Sequence, residues 1–348
     1  MIKRNAANPI IKPEDTKPSH NRYRVRGTFN PGAVKFGDET ILLLRVSEDC
    51  LPREGYVAVP YYRFEAGQGF AEILEVKTDD PDVQLKDTRG IVYKGKDYLS
   101  TMSHIRLARS RNGINFTVDD KPFIYPCNEN ECFGVEDARV TKIDNLYYIN
   151  YTVVSGDGFA TALATTQDFI DIERKGIIFA PQNKDVSIFP EKVNGKYCAL
   201  HRPNNEGFGL PSIWYSESPD LIHWGNHKCI LRPRENMIWE EMKIGGGAAP
   251  IKTSEGWLEI YHGKGRDQIY SLFPVLLDLE DPSVVLKRAK EPILFPIEPY
   301  ETEGFFPNVV FSNGIIHEDN GRILIYYGAC DETVCLAETS IDMLLSVL

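Results

Sequence analysis

The sequence predicts an all-β fold, and two observations carry the prediction: a strand, polar turn and second strand recur five times, and a third strand closed by a polar turn follows each copy. The first part of the unit reads FNPGAVKFGDETILLLR (Phe29 to Arg45), VEDARVTKIDNLYYINYT (Val135 to Thr152), VSIFPEKVNGKYCALHRP (Val186 to Pro203), KIGGGAAPIKTSEGWLEIYHG (Lys243 to Gly263) and FFPNVVFSNGIIHEDNGRILIYYG (Phe305 to Gly328). The third strands are SHIRLARSRNGINF from Ser103, FATALATTQDFIDI from Phe159, PSIWYSESPDLIHW from Pro211, IYSLFPVLLDLEDP from Ile269 and TVCLAETSIDMLL from Thr333. Short apolar segments ending in proline punctuate four of the units: KPFIYP at Lys121, GIIFAP at Gly176, CILRP at Cys229 and EPILFP at Glu291.

A period of about 50 residues with four strands per repeat is the pattern of a β-propeller, in which each blade is a small antiparallel sheet packed on its neighbours around an axis. The expected architecture is a five-bladed propeller of four-stranded blades, one domain over residues 1–348. NPIIKP (Asn8 to Pro13) matches the punctuating segments but has no unit before it, so it is expected to supply the outer strand of the last blade and close the ring without a free edge. A β-sandwich also shows short strands at regular spacing, and the fivefold match favours the propeller. The long gap between Arg45 and Ser103, about residues 46–102, reads as an insertion in the first blade that lines a pocket, mediates a homodimer or merely elaborates the surface.

Composition agrees: 42% hydrophobic residues with 22 Pro and 27 Gly suit many strands separated by turns. A net charge of −11 argues against nucleic-acid and anionic-membrane partners. No apolar run approaches the roughly 20 residues that span a bilayer, and MIKRNAANPIIKPED lacks an apolar leader core, which predicts a cytoplasmic protein. The seven cysteines form no CxxC pair, and the scattered histidines show neither HxH nor HExxH, so no metal or organic cofactor is expected.

Chemistry is expected where the first strands of all units converge on the axis. There the sequence places Asn30, Arg45, Ser47, Glu48 and Asp49 in unit one; Glu136, Asp137 and Arg139 in unit two; Asp185, Glu191, Lys192, His201 and Arg202 in unit three; Glu240, Glu241, Lys243, Tyr261 and His262 in unit four; and Asn308, Tyr326, Tyr327 and Asp331 in unit five. A lone cation at a strand end is usually solvated, but recurrence at equivalent repeat positions argues for a shared cavity. Carboxylates, cations and amides in one cavity describe a carbohydrate site with an anion subsite, because hydroxyls need paired donors and acceptors and phosphate favours clustered Arg, Lys and His.

GVEDARVT (Gly134 to Thr141), LATTQDF (Leu163 to Phe169), FPEKVNGKY with LHRP (Phe189 to Tyr197, Leu200 to Pro203), KIGGGAAPI from Lys243 and GWLEIYHG (Gly256 to Gly263) resemble glycoside hydrolase family 130, the β-mannoside phosphorylases and β-mannosidases, over essentially the whole chain. The resemblance implies a five-bladed propeller and inverting cleavage of a β-mannosidic bond, with Asp137 as general acid. Burial and the neighbouring Glu136 are expected to raise the pKa of that acid. Phosphate would be the co-substrate and nucleophile, bound by Arg202, Lys192 and His262, with Arg139, Lys243 and His201 as further cations. Asp331 would contact the mannose, with Asn30, Arg45, Glu48 and Glu136 on the same wall and His104 near the second sugar, on which one of Tyr61 and Tyr62 could stack.

The competing reading is hydrolysis, with Glu240 or Glu241 activating water as the base of an inverting glycosidase. The pattern SHIRLARS looks most like members acting on β-1,2-linked mannobiose or short mannooligosaccharides, ahead of β-1,4-mannosyl-glucose or β-1,4-mannooligosaccharides. A propeller that only binds a glycan or protein is the reading from a different class. It would not need an acid beside clustered cations.

Overall fold

In the computed structural model, which describes residues 2–86, 90–204 and 207–348, the chain is built almost wholly from strands. Helical structure among the described residues is limited to short 3-10 turns and the two α-helices Pro299–Thr302 and Ile341–Ser346, and no helix is long and apolar enough to cross a membrane.

Each sequence unit folds into an antiparallel ladder in chain order. The first comprises Tyr23–Phe36, Glu39–Cys50, Met102–Ser110 and the short Thr117–Val118. The second runs through Gly134–Ile143, Leu146–Ser155, Gly158–Thr166 and Glu173–Phe179. The third is Asn183–Ile188, Tyr197–Pro203, Ile213–Ser218 and Gly225–Leu231. In the fourth the glycine-rich run splits the first strand into Lys243–Gly245 and Ile251–Lys252, both paired with Trp257–Lys264, and Tyr270–Leu277 and Val285–Arg288 follow. The fifth is Val310–His317, Arg322–Ala329 and Thr333–Ser340.

The outer edge of the fifth ladder is taken by the chain's beginning, but by Lys3–Arg4, paired with Glu338 and Ala337, and not by a strand over NPIIKP as expected. Pro9 and Pro13 have no backbone N–H to offer a ladder. From that segment Ile11 makes a single bridge to Val334, and the Asn8 side chain substitutes for backbone, donating to Leu336 O at 2.9 Å and accepting from Leu336 N at 2.8 Å.

Why the second strands are so apolar follows from the packing. Successive side chains on a strand point to opposite faces, and here both faces are covered. Ile41 and Leu43 pack with Val140 and Ile149 of unit two, while the intervening Leu42 and Leu44 pack with Leu324 and Tyr326 of unit five. Ile325 and Tyr327 turn the other way, onto Leu258 and Ile260 of unit four. Units two and three share Leu163 with Ile188 and Ala199, and units three and four share Leu200 and Tyr215 with Trp257 and Phe273. The polar turns after the third strands repeat one chemistry: Asn112, Asp168, Asp220 and Asp278 each accept two backbone N–H groups just downstream, an Asx turn that mimics a backbone turn.

Between Glu39–Cys50 and Met102–Ser110 the chain makes a hairpin, Tyr56–Glu65 with Gln68–Lys77, and a small sheet of Val83–Leu85, Gly90–Tyr93 and Lys96–Leu99. The residues after this sheet, Ser100 and Thr101, return beside the inner strands.

The N-terminal strand is anchored by a buried carboxylate. Glu301 accepts from Arg4 at 2.8 and 2.9 Å, from the Tyr327 hydroxyl at 2.7 Å and from the Ile297 N–H at 2.9 Å. Replacing Arg4 by Ala leaves this charge without its cation and is expected to lower unfolding stability by about 2–3 kcal/mol. Urea unfolding of wild type and Arg4→Ala measures it, and an unchanged midpoint would mean that the strand contributes nothing.

Candidate functional site

A cavity of about 260 Å³ opens where the first strands meet, lined by Asn30, Arg45, Ser47, Glu136, Asp137, Lys184, Asp185, Arg202, Lys243, His262 and Asp331, with Phe29, Tyr270, Phe305, Phe306 and Phe311 as its aromatic surface. Three of these side chains reach it by the same backbone device. Asn30, Asp137 and Asp185 have φ of 45, 49 and 54°, and each sits where its ladder slips register, between Phe29 and Gly32, Glu136 and Arg139, and Lys184 and Ser187. A left-handed residue at a bulge re-aims its side chain out of the pleat, and Asn and Asp tolerate that conformation best among residues with a Cβ.

The carboxylates gather around one guanidinium. Arg45 donates to Glu136 at 2.8 Å and to Asp137 at 3.3 Å, while its Nε donates to Ser103 Oγ at 3.0 Å; the Asn30 amide donates to Asp137 Oδ1 at 3.0 Å. Burial by itself pushes the Asp137 carboxyl up, but Arg45, Lys184, Arg139 and Asn30 outweigh it and hold its pKa below the ordinary aspartate value. The expectation of a raised pKa is therefore corrected, since cations face Asp137 more closely than sequence spacing suggested. The carboxyl that is pushed up, to about 6, is Asp331: burial outweighs the pull of Arg45, and Asp137 and Glu136 add to the rise.

The cations gather around Asp185. Arg202 Nε donates to its Oδ2 at 2.6 Å, Arg139 Nη2 to its Oδ1 at 3.1 Å, and His262 Nε2 lies 3.4 Å away. Burial pushes Lys243 down to about 7, with Arg202 and Lys184 adding to the fall, and its ammonium sits over the Tyr270 ring at 5.0 Å. Burial likewise drives His262 down to about 3, so the ring is neutral, and its buried Nδ1 has no hydrogen-bond partner. Clustered cations with one counter-ion have the chemistry that favours an oxyanion.

Several expected residues lie elsewhere. Lys192 is exposed in the turn after Asn183–Ile188, its ammonium over the Tyr197 ring at 4.5 Å. His201 alternates with Arg202 on one strand and so faces the opposite way, stacking on Phe179 and bonding Asn183 and His227. Arg139 is fully buried beneath the cavity and bonded to protein on each nitrogen: Nε donates to Gly247 O, Nη1 to Asp137 O, and Nη2 to Gly246 O and Asp185. Glu48 and His104 form a buried pair at 3.5 Å on the reverse of the strand whose Arg45 and Ser47 face the cavity; Glu48 is bonded to Ser19. Tyr61 and Tyr62 do not line the cavity either: the first donates to Glu72 and the second packs on Tyr125 at 5.8 Å. Lys184 is the cation that the sequence reading missed. Aligning the bulges puts it beside Asp185 as Glu136 stands beside Asp137, a signal available only once the bulge is recognised.

Glu240 and Glu241, the bases of the hydrolytic reading, are both outside the cavity. Glu240 is buried in a pocket of its own with Arg234, Arg288 at 3.0 Å and the Tyr261 hydroxyl at 2.7 Å, and Glu241 pairs with Arg266 at 3.1 Å. Among the described residues no group of three or more His, Cys, Asp or Glu is placed to hold a metal ion.

An all-β chain with a polar axial cavity of carboxylates opposed by cations is the frame of a carbohydrate-active enzyme. A family model of glycoside hydrolase family 130, described as beta-1,4-mannooligosaccharide phosphorylase, matches residues 81–348, and the chain belongs to that family of enzymes. It is 44% identical to a beta-1,2-mannobiose phosphorylase of Listeria innocua over 100% of this chain and 98% of that one. It is also 44% identical to a 1,2-beta-oligomannan phosphorylase of Thermoanaerobacter, over 71% of this chain and 84% of the relative. The solved structure of the Listeria innocua phosphorylase in complex with beta-1,2-mannobiose superposes with a TM-score of 0.95 across 100% of this chain and 99% of that one.

Lys243 generates a pH prediction. Its ammonium is charged below a pKa of about 7 and lost above it, so its contribution to holding an anion fades as pH rises from about 6 to about 8. Because phosphate itself passes from monoanion to dianion in the same window, the readout is the ratio of wild-type to Lys243→Met phosphate affinity by calorimetry: it is expected to favour the wild type at pH about 6 and to shrink by pH about 8, and a constant ratio would remove Lys243 from the anion site.

Proposed function

We propose that this chain is an inverting β-mannoside phosphorylase acting on β-1,2-mannobiose or short β-1,2-mannooligosaccharides, with inorganic phosphate as co-substrate and Asp137 as general acid. The observation that carries the reading is the pairing, across one small cavity, of Asp137 with Lys184, Arg202, Lys243 and His262, while neither candidate base reaches that cavity. The 44% identity to beta-1,2-mannobiose phosphorylase over the whole chain supports the linkage.

In this mechanism mannose sits against Asp331, Asn30, Arg45 and Glu136, and phosphate against the cations. The C1–O bond to the leaving sugar breaks as a phosphate oxygen attacks C1 from the opposite face, giving α-mannose 1-phosphate. Asp137 supplies the proton to the leaving oxygen, by way of a mannose hydroxyl as the family resemblance implies. The proton of hydrogen phosphate returns to Asp137, so charge and atoms balance without a separate base. A dianion arriving beside Lys184 and Arg202 neutralises part of the field that depresses the Asp137 pKa, which turns phosphate binding into a device for protonating the acid. Asp185 stands on the nucleophile's side, yet as a hydrolytic base it is disabled: the guanidiniums of Arg202 and Arg139 overcome its burial and hold its pKa well below the ordinary range.

The same reading takes residues 1–348 as one five-bladed propeller closed by the N-terminal strand. The support is five apolar clusters, each shared by consecutive units, including the fifth with the first. The cytoplasm suits an enzyme that consumes phosphate and carries seven unpaired cysteines.

Purified protein incubated with β-1,2-mannobiose is expected to form α-mannose 1-phosphate only when phosphate is present; free mannose at the same rate without phosphate would overturn the reading. Asp137→Asn is expected to lower kcat by about 10²–10⁴-fold without weakening phosphate binding, since the amide removes a charge that opposes the dianion. Retention of wild-type kcat in that variant would remove Asp137 from the acid role.

A further inference from the structure

One buried acid has no part in the mechanism above, and it lies at the root of the network that carries the cavity's charges. Glu259 stands on Trp257–Lys264, on the same side of the strand as the core residues Trp257 and Tyr261, and is 1% exposed. Its Oε1 accepts from the Gly247 N–H at 2.8 Å and from Ser187 Oγ at 3.3 Å, while Oε2 is buried without a partner. The Gly246–Gly247 backbone held in this way offers its two carbonyls to Arg139, at 3.1 and 3.2 Å. Arg139 in turn donates to the Asp137 carbonyl at 3.0 Å and to Asp185 at 3.1 Å, and Asp185 fixes Arg202 at 2.6 Å.

The run between Glu259 and Arg139 has no slack. A Cβ on Gly247 would stand 2.2 Å from Ile260 O, and one on Gly246 would stand 2.6 Å from Ser187 Oγ, so these glycines are packed against the strands on either side. A shift at Glu259 is therefore passed to the carbonyls that hold Arg139 and not absorbed between them.

We propose that Glu259 is a positioning residue for phosphorolysis: through Gly246, Gly247 and Arg139 it fixes Asp185 with the Arg202 that faces phosphate, and the peptide that carries Asp137. The proposal rests on the reaction assigned above. Burial pushes the Glu259 carboxyl up to about 8, partly offset by Gly247, Ser187 and Arg139, so near neutral pH it carries its proton and does not compete with Asp185 for Arg139. Glutamine is the isostere of that state, keeping the acceptor that Gly247 and Ser187 use.

The test compares Glu259→Gln, Glu259→Ala and Ser187→Ala with wild type for kcat, phosphate KM, phosphate Kd by calorimetry, and thermal stability. Loss of the anchor in Glu259→Ala is expected to raise phosphate KM and Kd about tenfold, and Glu259→Gln to restore both to within about twofold. If Glu259→Ala does not fold, Ser187→Ala removes one donor to the same oxygen and is expected to raise both about threefold. A purely structural role would lower the melting temperature and the active fraction, hence kcat, and leave KM and Kd at wild-type values; that result overturns the proposal. A wild type that binds phosphate but forms no mannose 1-phosphate would count against the assigned reaction, and the calorimetric comparison would then decide the positioning role alone.

Discussion

The ion pair between Arg139 and Asp185 is the constraint on which the rest of the site depends. Both groups are 2% exposed or less, and taking two charges out of water costs more than their attraction returns unless the remaining hydrogen-bonding capacity is filled. Here it is filled. Arg139 spends its nitrogens on Asp185 and three backbone carbonyls, and Asp185 divides its two oxygens between Arg139 and Arg202. With that counter-ion in place, Lys184, Arg202 and Lys243 can share one small cavity. One carboxylate among several cations leaves a surplus of positive charge directed at the cavity, which is what a dianionic nucleophile requires.

The same centre explains why Asp137 and the clustered cations face one another. Arg139 holds the Asp137 carbonyl as well as the Asp185 carboxylate, so the peptide carrying Asp137 and the counter-ion of the cations are fixed to a single guanidinium. The bulges at Asn30, Asp137 and Asp185 do the aiming. One conformational device, repeated in three units, brings three side chains from different strands to one point, and the doubly packed second strands behind them keep the backbone from relaxing.

Electrostatics inside the cavity divides the carboxylates by neighbour more than by depth. Asp137 and Asp331 are both buried, yet Arg45, Lys184 and Arg139 hold the first below its ordinary range while the second rises to about 6. With a pKa of about 6, Asp331 is mostly ionised near neutral pH and is then a hydrogen-bond acceptor only. In the proposed mechanism an ionised Asp137 takes up its proton when phosphate offsets the cations. Binding of the nucleophile and readiness of the acid are thereby linked through charge alone.

The five units, the all-β class and the charged residues that could serve the site are legible in the chain, because strand period, turn chemistry and long ordered motifs are local properties. Asp137, Arg202, Lys243, His262, Asn30, Arg45, Glu136 and Asp331 do meet in one cavity. Packing across strands chose which of two adjacent polar residues faces it. Arg202 and not His201, Ser47 and not Glu48, point inward, since a strand sends neighbours to opposite sides and the bulges and packing choose the side. Lys192 fell to the surface and Arg139 beneath the floor for the same reason: a motif names residues in a row, whereas burial and partners depend on strands far apart in the chain. The pKa of Asp137 likewise belonged to the fold, because Arg45 and Lys184, distant in sequence, approach it more effectively than the adjacent Glu136 opposes them.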